Sequence, residues 1–463
     1  VKYLRVSTAD SGPDTEACLR RGDDTKAYMN TPLDSSALWR ASLGTVSTDS
    51  EEGPRSVLRE SLLSFRRRVT DLVSTIGSEL PGLTVHDVTH LDALWRVADQ
   101  IAGEGYLLNP AEAYVLGGAF LLHDAAHVLA AYPGGMADIR TSVQWQDLIA
   151  QRYGGIEPIA NSSEEKAAIF QVLRHLHAEQ AHVLAGISWS SPSSGEPLFL
   201  IENFELGKYY GDLIGEIAAS HHWPAHMVAQ VFGRRRVSCP PFLSPAAWEV
   251  DALKVALLLR TADAAHLDGS RAPWFLFALR RPEGISANHW QFQAKFGQPT
   301  RTPTDELRLS SGSSFGVSER DAWWLALDAA RMVDGELRNA HDILKEEGRT
   351  RFAATHVLGV ESAAAFAKQV PVQGWVPLDV APKVGDLKHL IASLGGKALY
   401  GENHAAPLRE LLQNGLDAVR ALRALDGLGG NEGEIEVSAV PSDDSQWWLR
   451  VTDNGIGMSQ QEA

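Results

Sequence analysis

Within the stretch AYVLGGAFLLHDAAHVLAAY (113–132) stand His123, Asp124 and His127, three metal-capable side chains in a run otherwise as apolar as a membrane span. Read as a single helix, the stretch puts His123 and His127 on one face, four residues apart, with Asp124 flanking them. Neutral imidazole together with carboxylate suits a divalent transition metal. Upstream, HDVTHLDALWRVA sets His86 and His90 on one face of a helix start, and downstream LLLRTADAAHLD places Asp263 after a wholly apolar turn. His177, within LRHLHAEQAH, and the pair His221 and His222 also end or punctuate apolar helical segments. An isolated acid in an apolar helix needs a partner, because an unpaired buried carboxylate is costly or becomes neutral. A shared metal is such a partner.

A second group lies near the C-terminus. In LYGENHAAPLRELLQNGLDAVRALRAL, Glu410, Asn414 and Asp417 fall four and three residues apart and share one face of an amphipathic helix. EIEVSAV and WWLRVTDNGIGMS follow as two strands, the second running into Asp453, Gly455, Gly457 and Met458. The glycines permit close backbone approach to a ligand. A carboxylate at a strand end can accept hydrogen bonds from an adenine amino group and a bound water.

Helices must carry the first group. SVLRESLLSFRRRVTDLVSTI, HLDALWRVADQIA, EEKAAIFQVLRHLHAEQAHVLAG, KYYGDLIGEIAASHH and WEVDALKVALLLRTADAAHLD repeat apolar residues at three-and-four spacing. Residues 1–55 read as a polar arm, with ALWRASL as a short docking helix, and 56–270 as an all-helical domain. In 271–384 the alternation of HWQFQAKF and DELRLSS predicts strands of a small sheet. A long helix then begins at SERDAWW, with Ser318 as N-cap and Gly348 as stop, before a Pro-rich linker. A further domain is expected over 385–463. Two or three domains suit a chain of 463 residues.

Subtracting 58 acidic from 42 basic residues leaves a net charge of -16. That balance argues against a non-specific grip on nucleic acid or anionic membrane, so an anionic substrate needs a metal or a local basic pocket. The arginine runs at 66–68 and 234–236 read as solvated faces or internal ion pairs. Cys18 and Cys239 stand far apart and form neither a disulfide framework nor a zinc ribbon. No apolar signal core follows the N-terminal charges. The stretch 113–132 is close to the ~20 residues of a spanning helix, but its His-Asp pair disfavours insertion. A cytoplasmic location without membrane association is the expectation.

The order His, His-Asp, Asp, carried by HLDALWRVA, LLHDAAH and LLLRTADAAHLD over about residues 80–270, resembles the HD superfamily of metal-dependent phosphohydrolases. The resemblance implies a metal site of His90, His123, Asp124 and Asp263, with Asp124 bridging if two ions bind and His86 competing for the first place. It implies further ligands at His177, His221 and His222, as in binuclear members, and places His127 and Arg174 behind the ligands or facing a phosphate. The ion would be Mn, Fe, Co, Ni or Zn, and the substrate a nucleotide or another phosphate ester. Because many HD-like domains bind without turnover, a recognition module that regulates an ATPase is the alternative.

RELLQNGLDA followed by DNGIGM resembles the GHKL superfamily of Bergerat-fold ATPases, nearest its heat-shock-chaperone branch. By that resemblance Glu410 is the general base, Asn414 the magnesium ligand, Asp453 the adenine reader and Asp417 a support. Gly455 and Gly457, followed by Met458, form the first glycine box, so Mg and ATP are the implied cofactors. The sequence stops a few residues past DNGIGM, so the expectation is a fragment with weak or no ATP hydrolysis of its own, from a longer parent that hydrolyses ATP and can form a homodimer through this domain. The combined expectation is a mainly α protein: an all-helical HD-type domain with a small β insertion, then an α/β Bergerat-fold fragment. Stress or anti-phage defence suits that architecture by analogy.

Overall fold

The computed structural model describes residues 32–45, 50–80, 82–244, 246–379, 406–425, 432–441 and 447–457. The fold is mainly helical, with small sheets at its margins. The helices that carry the argument are α1 (Glu52–Val73), α2 (Val88–Ala102), α3 (Pro110–Leu122), α4 (Ser163–Leu184), α5 (Phe204–Ala219), α6 (Ala252–Ala265), α7 (Gly284–Lys295), α8 (Arg320–Glu346) and α9 (Ala406–Ala424).

Helix α3 is the hub. All of its residues are buried, and α1, α5 and α6 pack around it. It starts where Asn109 caps the N–H of Glu112 and the Glu112 carboxylate returns to the Asn109 N–H, with Pro110 in the first turn. Glu112 is also buried, and Lys254 pairs with it at 2.7 Å. The close approach of α4 and α5 needs Gly215, since a Cβ there would collide with the His182 carbonyl. Asn203, Ser162, Asp251 and Asp87 cap α5, α4, α6 and α2 through side-chain oxygens.

The expected single helix through 113–132 is corrected. Helix α3 stops at Leu122, His123 occupies its C-cap, and a turn carries Asp124 to His127, where the His127 N–H donates to the Asp124 carbonyl. His123 and His127 therefore do not share a helical face. The break lets both sides of Asp124 be surrounded.

HWQFQAKF is also not a strand: it forms the end of α7, with Trp290 and Phe292 buried and the Trp290 indole N–H donating to Gly82. Tertiary packing against α8 overrides the local alternation. DELRLSS does supply a strand. The strands, in chain order, are β1 (Ser188–Ser190), β2 (Pro197–Phe199), β3 (Arg236–Ser238), β4 (Glu249–Asp251), β5 (Thr300–Arg301), β6 (Glu306–Arg308), β7 (His356–Val357), β8 (Ile435–Pro441) and β9 (Trp447–Asp453). The first four make two antiparallel hairpins, while β6 pairs antiparallel with β5 and parallel with β7.

Helix α8 buries Trp323, Ala326, Leu327, Ala330, Val333, Leu337 and Leu344 at three-and-four spacing. A short 3-10 turn over Val317–Glu319 precedes it, closed by the Glu319 carboxylate on the Gly316 N–H, so Ser318 is not the cap. Gly348, at φ +63°, ends the run.

The expected docking helix is Ala37–Ser42; Leu38, Trp39 and Leu43 are buried, and Asp99 accepts from the Ala37 and Leu38 N–H groups. Within the presumed arm, then, residues 33–43 join the core. Both arginine runs make internal ion pairs: Arg66 with Asp92, Arg68 with Glu202, Arg235 with Glu216 and Arg236 with Asp251. No helix among the described residues is long and apolar enough to cross a membrane. Residues 52–55 of the expected arm already belong to α1, while 1–31 and 46–49, the boundary near 385 and Met458 lie outside the described residues.

Candidate metal centre

The start of α2, the end of α3 with the turn that follows it, and the interior of α4 converge on Asp124. Its Oδ2 lies 3.3 Å from His123 Nε2 and 3.5 Å from His90 Nε2, while its Oδ1 lies 3.4 Å from His127 Nε2 and 3.6 Å from His177 Nε2. Asp263 closes the first side, its Oδ1 3.4 Å from His123 Nε2 and 3.7 Å from His90 Nε2. His221 and His222 join His177 on the second side, within 4.8 Å of one another. One carboxylate thus divides two compartments: an inner one of His90, His123, Asp124 and Asp263, and an outer one of Asp124, His127 and His177 that continues into His221 and His222.

The tautomers follow from the partners. His123 Nδ1 meets the Phe120 carbonyl at 3.0 Å, His177 Nδ1 the Arg174 carbonyl at 2.9 Å and His221 Nδ1 the Ala218 carbonyl at 2.6 Å. A carbonyl only accepts, so each Nδ1 carries a proton, and in the neutral ring each Nε2 presents a lone pair.

His90 is fixed by a longer relay. Its Nδ1 lies 2.7 Å from His266 Nδ1, with the rings parallel. The Ser270 hydroxyl donates to Asp268, so it accepts from His266 Nε2 at 3.3 Å. His266 therefore accepts at Nδ1, His90 donates at Nδ1, and His90 Nε2 is bare. Consequently two pairs of lone-pair nitrogens face each other at 3.3 Å, His90 with His123 and His177 with His221. A metal ion relieves that arrangement, and so does a proton on one nitrogen of a pair.

The electrostatics have the same requirement. Burial disfavours charge on His123, but Asp124 and Asp263 outweigh it and lift the imidazole to about 10. Burial also opposes the charge of both carboxylates, yet His123 above all holds each well below the usual range. Burial keeps His90, His177 and His221 neutral, His221 falling to about 3. With no metal, a proton on His123 supplies the positive charge. The donor set, imidazole nitrogens and carboxylate oxygens without thiolate, fits a divalent transition ion.

His86 stands beside this centre rather than within the four-residue group. Its Nδ1 donates to the Thr84 carbonyl at 2.6 Å, and its Nε2 accepts from Arg271 Nη2 at 2.5 Å while lying 3.7 Å from Asp124 Oδ2. Burial, then the Arg271 charge, lowers it to about 3. Arg174 precedes His177 by one turn, but its guanidinium is exposed over the Phe170 ring.

Sequence reasoning did not single out His266, Asp268 or Arg271. His266 and Asp268 lie inside the quoted LLLRTADAAHLD, so a second His-Asp pair was visible there. Arg271 is buried, its Nε has no hydrogen-bond partner, and no carboxylate pairs with it among the described residues. Its positive charge lies beside the centre without a direct ion-pair partner among the described residues.

The C-terminal group is arranged differently. Glu410, Asn414 and Asp417 lie on α9, half-buried to exposed; Arg409 pairs with Glu410 at 2.9 Å and Arg420 with Asp417 at 3.3 Å. Asp453 ends β9 exposed, its carboxylate accepting from the Gly455 N–H at 3.0 Å. Gly455 sits against the Ala418–Val419 backbone, and a Cβ added at Gly415 would lie 3.5 Å from Asp453 Cβ. Gly457 is at φ +69° with open space around it.

Residues 80–339, more than half of the chain, match the HD-CE family, and the match runs through the metal centre and into α8. No curated protein and no solved structure matches the chain.

Proposed function

Because the chain belongs to the HD-CE family, we propose that its buried histidine-aspartate centre makes it a metal-dependent phosphohydrolase acting on a nucleotide or another phosphate ester. The observation that carries this reading is the pair of bare imidazole couples split by the two oxygens of Asp124. His90, His123, Asp124 and Asp263 would hold one ion; Asp124, His127 and His177, with His221 and His222, would hold a second. A bound ion supplies a Lewis acid and lowers the pKa of a water from 15.7 toward ~7.

The chain's own residues do the rest. The carbonyls of Phe120, Arg174 and Ala218 hold three imidazoles in the ligating tautomer, as outer partners of metal ligands do. Arg271, without a carboxylate partner among the described residues, would attract a phosphate oxygen to the rim beside His86, and Arg174 would extend that positive edge. The buried α3 shields the ligands from water on the protein side.

The test is metal analysis and phosphate release across a panel of nucleotides and phosphate esters, comparing the native chain with Asp124→Ala. Metal-dependent release lost in the variant supports hydrolysis. Stoichiometric metal with no release on any ester favours the recognition module instead.

A second reading concerns α9 and the β8–β9 hairpin. The fit of Gly455 against α9 and the approach of Gly415 to Asp453 support an ATP-binding role. Asp453 would read adenine, Asn414 would hold Mg, and Glu410 would serve as base, with Asp417 and Gly457 in support. In a longer chain ATP-driven dimerisation would then regulate the metal centre. If ATP analogues neither bind nor change phosphate release in a chain extended past 463, this reading is lost.

A further inference from the structure

Arg260 lies on α6 one turn before Asp263 and is 5% exposed in its side chain. Its Nη1 donates to the carbonyls of Ser220, His221 and Trp223 at 2.6, 3.0 and 2.6 Å, closing the end of α5 and the 3-10 turn Ser220–His222. The carbonyls at a helix C-terminus lack intrahelical partners and favour a cation. The other side of the guanidinium meets Glu336 of α8, with Nε 3.2 Å from Oε2 and Nη2 2.9 and 3.0 Å from the two oxygens. One planar fork therefore joins the long helix to the backbone that carries His221 and His222.

We propose that Arg260 and Glu336 form a clamp that positions the His221–His222 turn, so that cation capture in the outer compartment depends on α8. This rests on reading the centre as a two-ion site. The Ala218 carbonyl orients the His221 ring, and Arg260 fixes the backbone beneath it, which sets His221 Nε2 3.3 Å from His177 Nε2. A lysine could not serve both sides, because a single ammonium lacks the guanidinium's rigid fork. Glu336 keeps Arg260 from being a buried cation without a counter-charge; removing it frees the guanidinium to turn away from the carbonyls. Among the inner ligands only Asp263 shares a helix with the clamp, and Arg260 does not contact His90, His123 or Asp124. The effect is therefore selective for the outer compartment.

Arg260 and Glu336 are positioning residues, and their test is the step-resolved binding of Co(II) to the full chain, with hydrogen exchange of residues 218–224 in the metal-free protein. In Glu336→Gln the second ion should bind about 10- to 100-fold more weakly, the range for groups that support metal ligands, while the first binds as before. The amides of 218–224 should exchange faster, and those of α3 should not. Arg260→Lys should act in the same direction and more strongly. The proposal is overturned if Glu336→Gln, folded with an unchanged melting temperature, weakens both ions equally, or leaves both ions and the amide protection as in the wild type. If the wild type takes up fewer than two ions, the two-ion reading fails, and the exchange result alone decides whether the clamp holds the turn.

Discussion

The metal centre and the C-terminal helix–hairpin both carry polar residues at helical spacing, yet they occupy opposite environments. Around Asp124 most of the polar groups are buried, and His90, His123, His177 and His221 are each committed by a hydrogen bond on the far nitrogen. On α9 the residues face outward and spend their charges on neighbours of the same helix, Arg409 and Arg420. Spacing along a helix places side chains on one face, but only surrounding elements make that face a site. The inner compartment has α2, α3 and α6 around it; the described residues at α9 offer the β8–β9 hairpin and an ion pair from Arg420 to Asp147.

The largest expected effect comes from the carboxylate shared by both compartments. Asp124→Ala should lose metal affinity by at least about a hundredfold, the upper end of what even supporting groups contribute, and phosphate release should fall to background. Elemental analysis and a release assay check this. Metal retained at full stoichiometry would make the centre as non-committal as the α9 face.

Next in size is the packing that brings α4 and α5 together. Gly215→Ala should destabilise the helical domain by about 1–3 kcal/mol, read by denaturant unfolding, because the new Cβ meets the His182 backbone. A neutral result would mean that the two helices can separate without cost. Gly455→Ala should act only locally: faster hydrogen exchange across α9 and the hairpin, with metal content unchanged. If metal content fell too, the two regions would be coupled rather than contrasted. The smallest effect is expected at exposed Asn414, where alanine should leave stability within about 0.5 kcal/mol of the wild type and metal binding untouched.

Much of the helical pattern was legible, because amphipathic periodicity is local and the caps at Asn109, Ser162 and Asn203 sit where the apolar runs begin. The candidates His90, His123, Asp124 and Asp263 could be picked out because acids and imidazoles are conspicuous in apolar helices. What escaped was non-local. The His90–His266 bond spans 176 residues and the Arg260–Glu336 pair spans 76, and no periodicity encodes either. HWQFQAKF misled because its short alternation fits a strand locally, whereas burial of Trp290 and Phe292 is decided by α8. The end of α3 at Leu122 was hidden for a related reason: the apolar residues continue past it, so composition carries no mark of the break.

The carbonyl three residues before each of His123, His177 and His221 has one more consequence. The aim of each ring is written into a single helical turn, so ligand orientation is a property of short modules rather than of the assembled domain. An insertion in the surface loop at 191–196, between β1 and β2, would leave every one of those modules intact. The centre can therefore be inherited through changes in the connecting loops, and remote contacts such as the clamp are where variants of this architecture can differ in how firmly they hold a second ion.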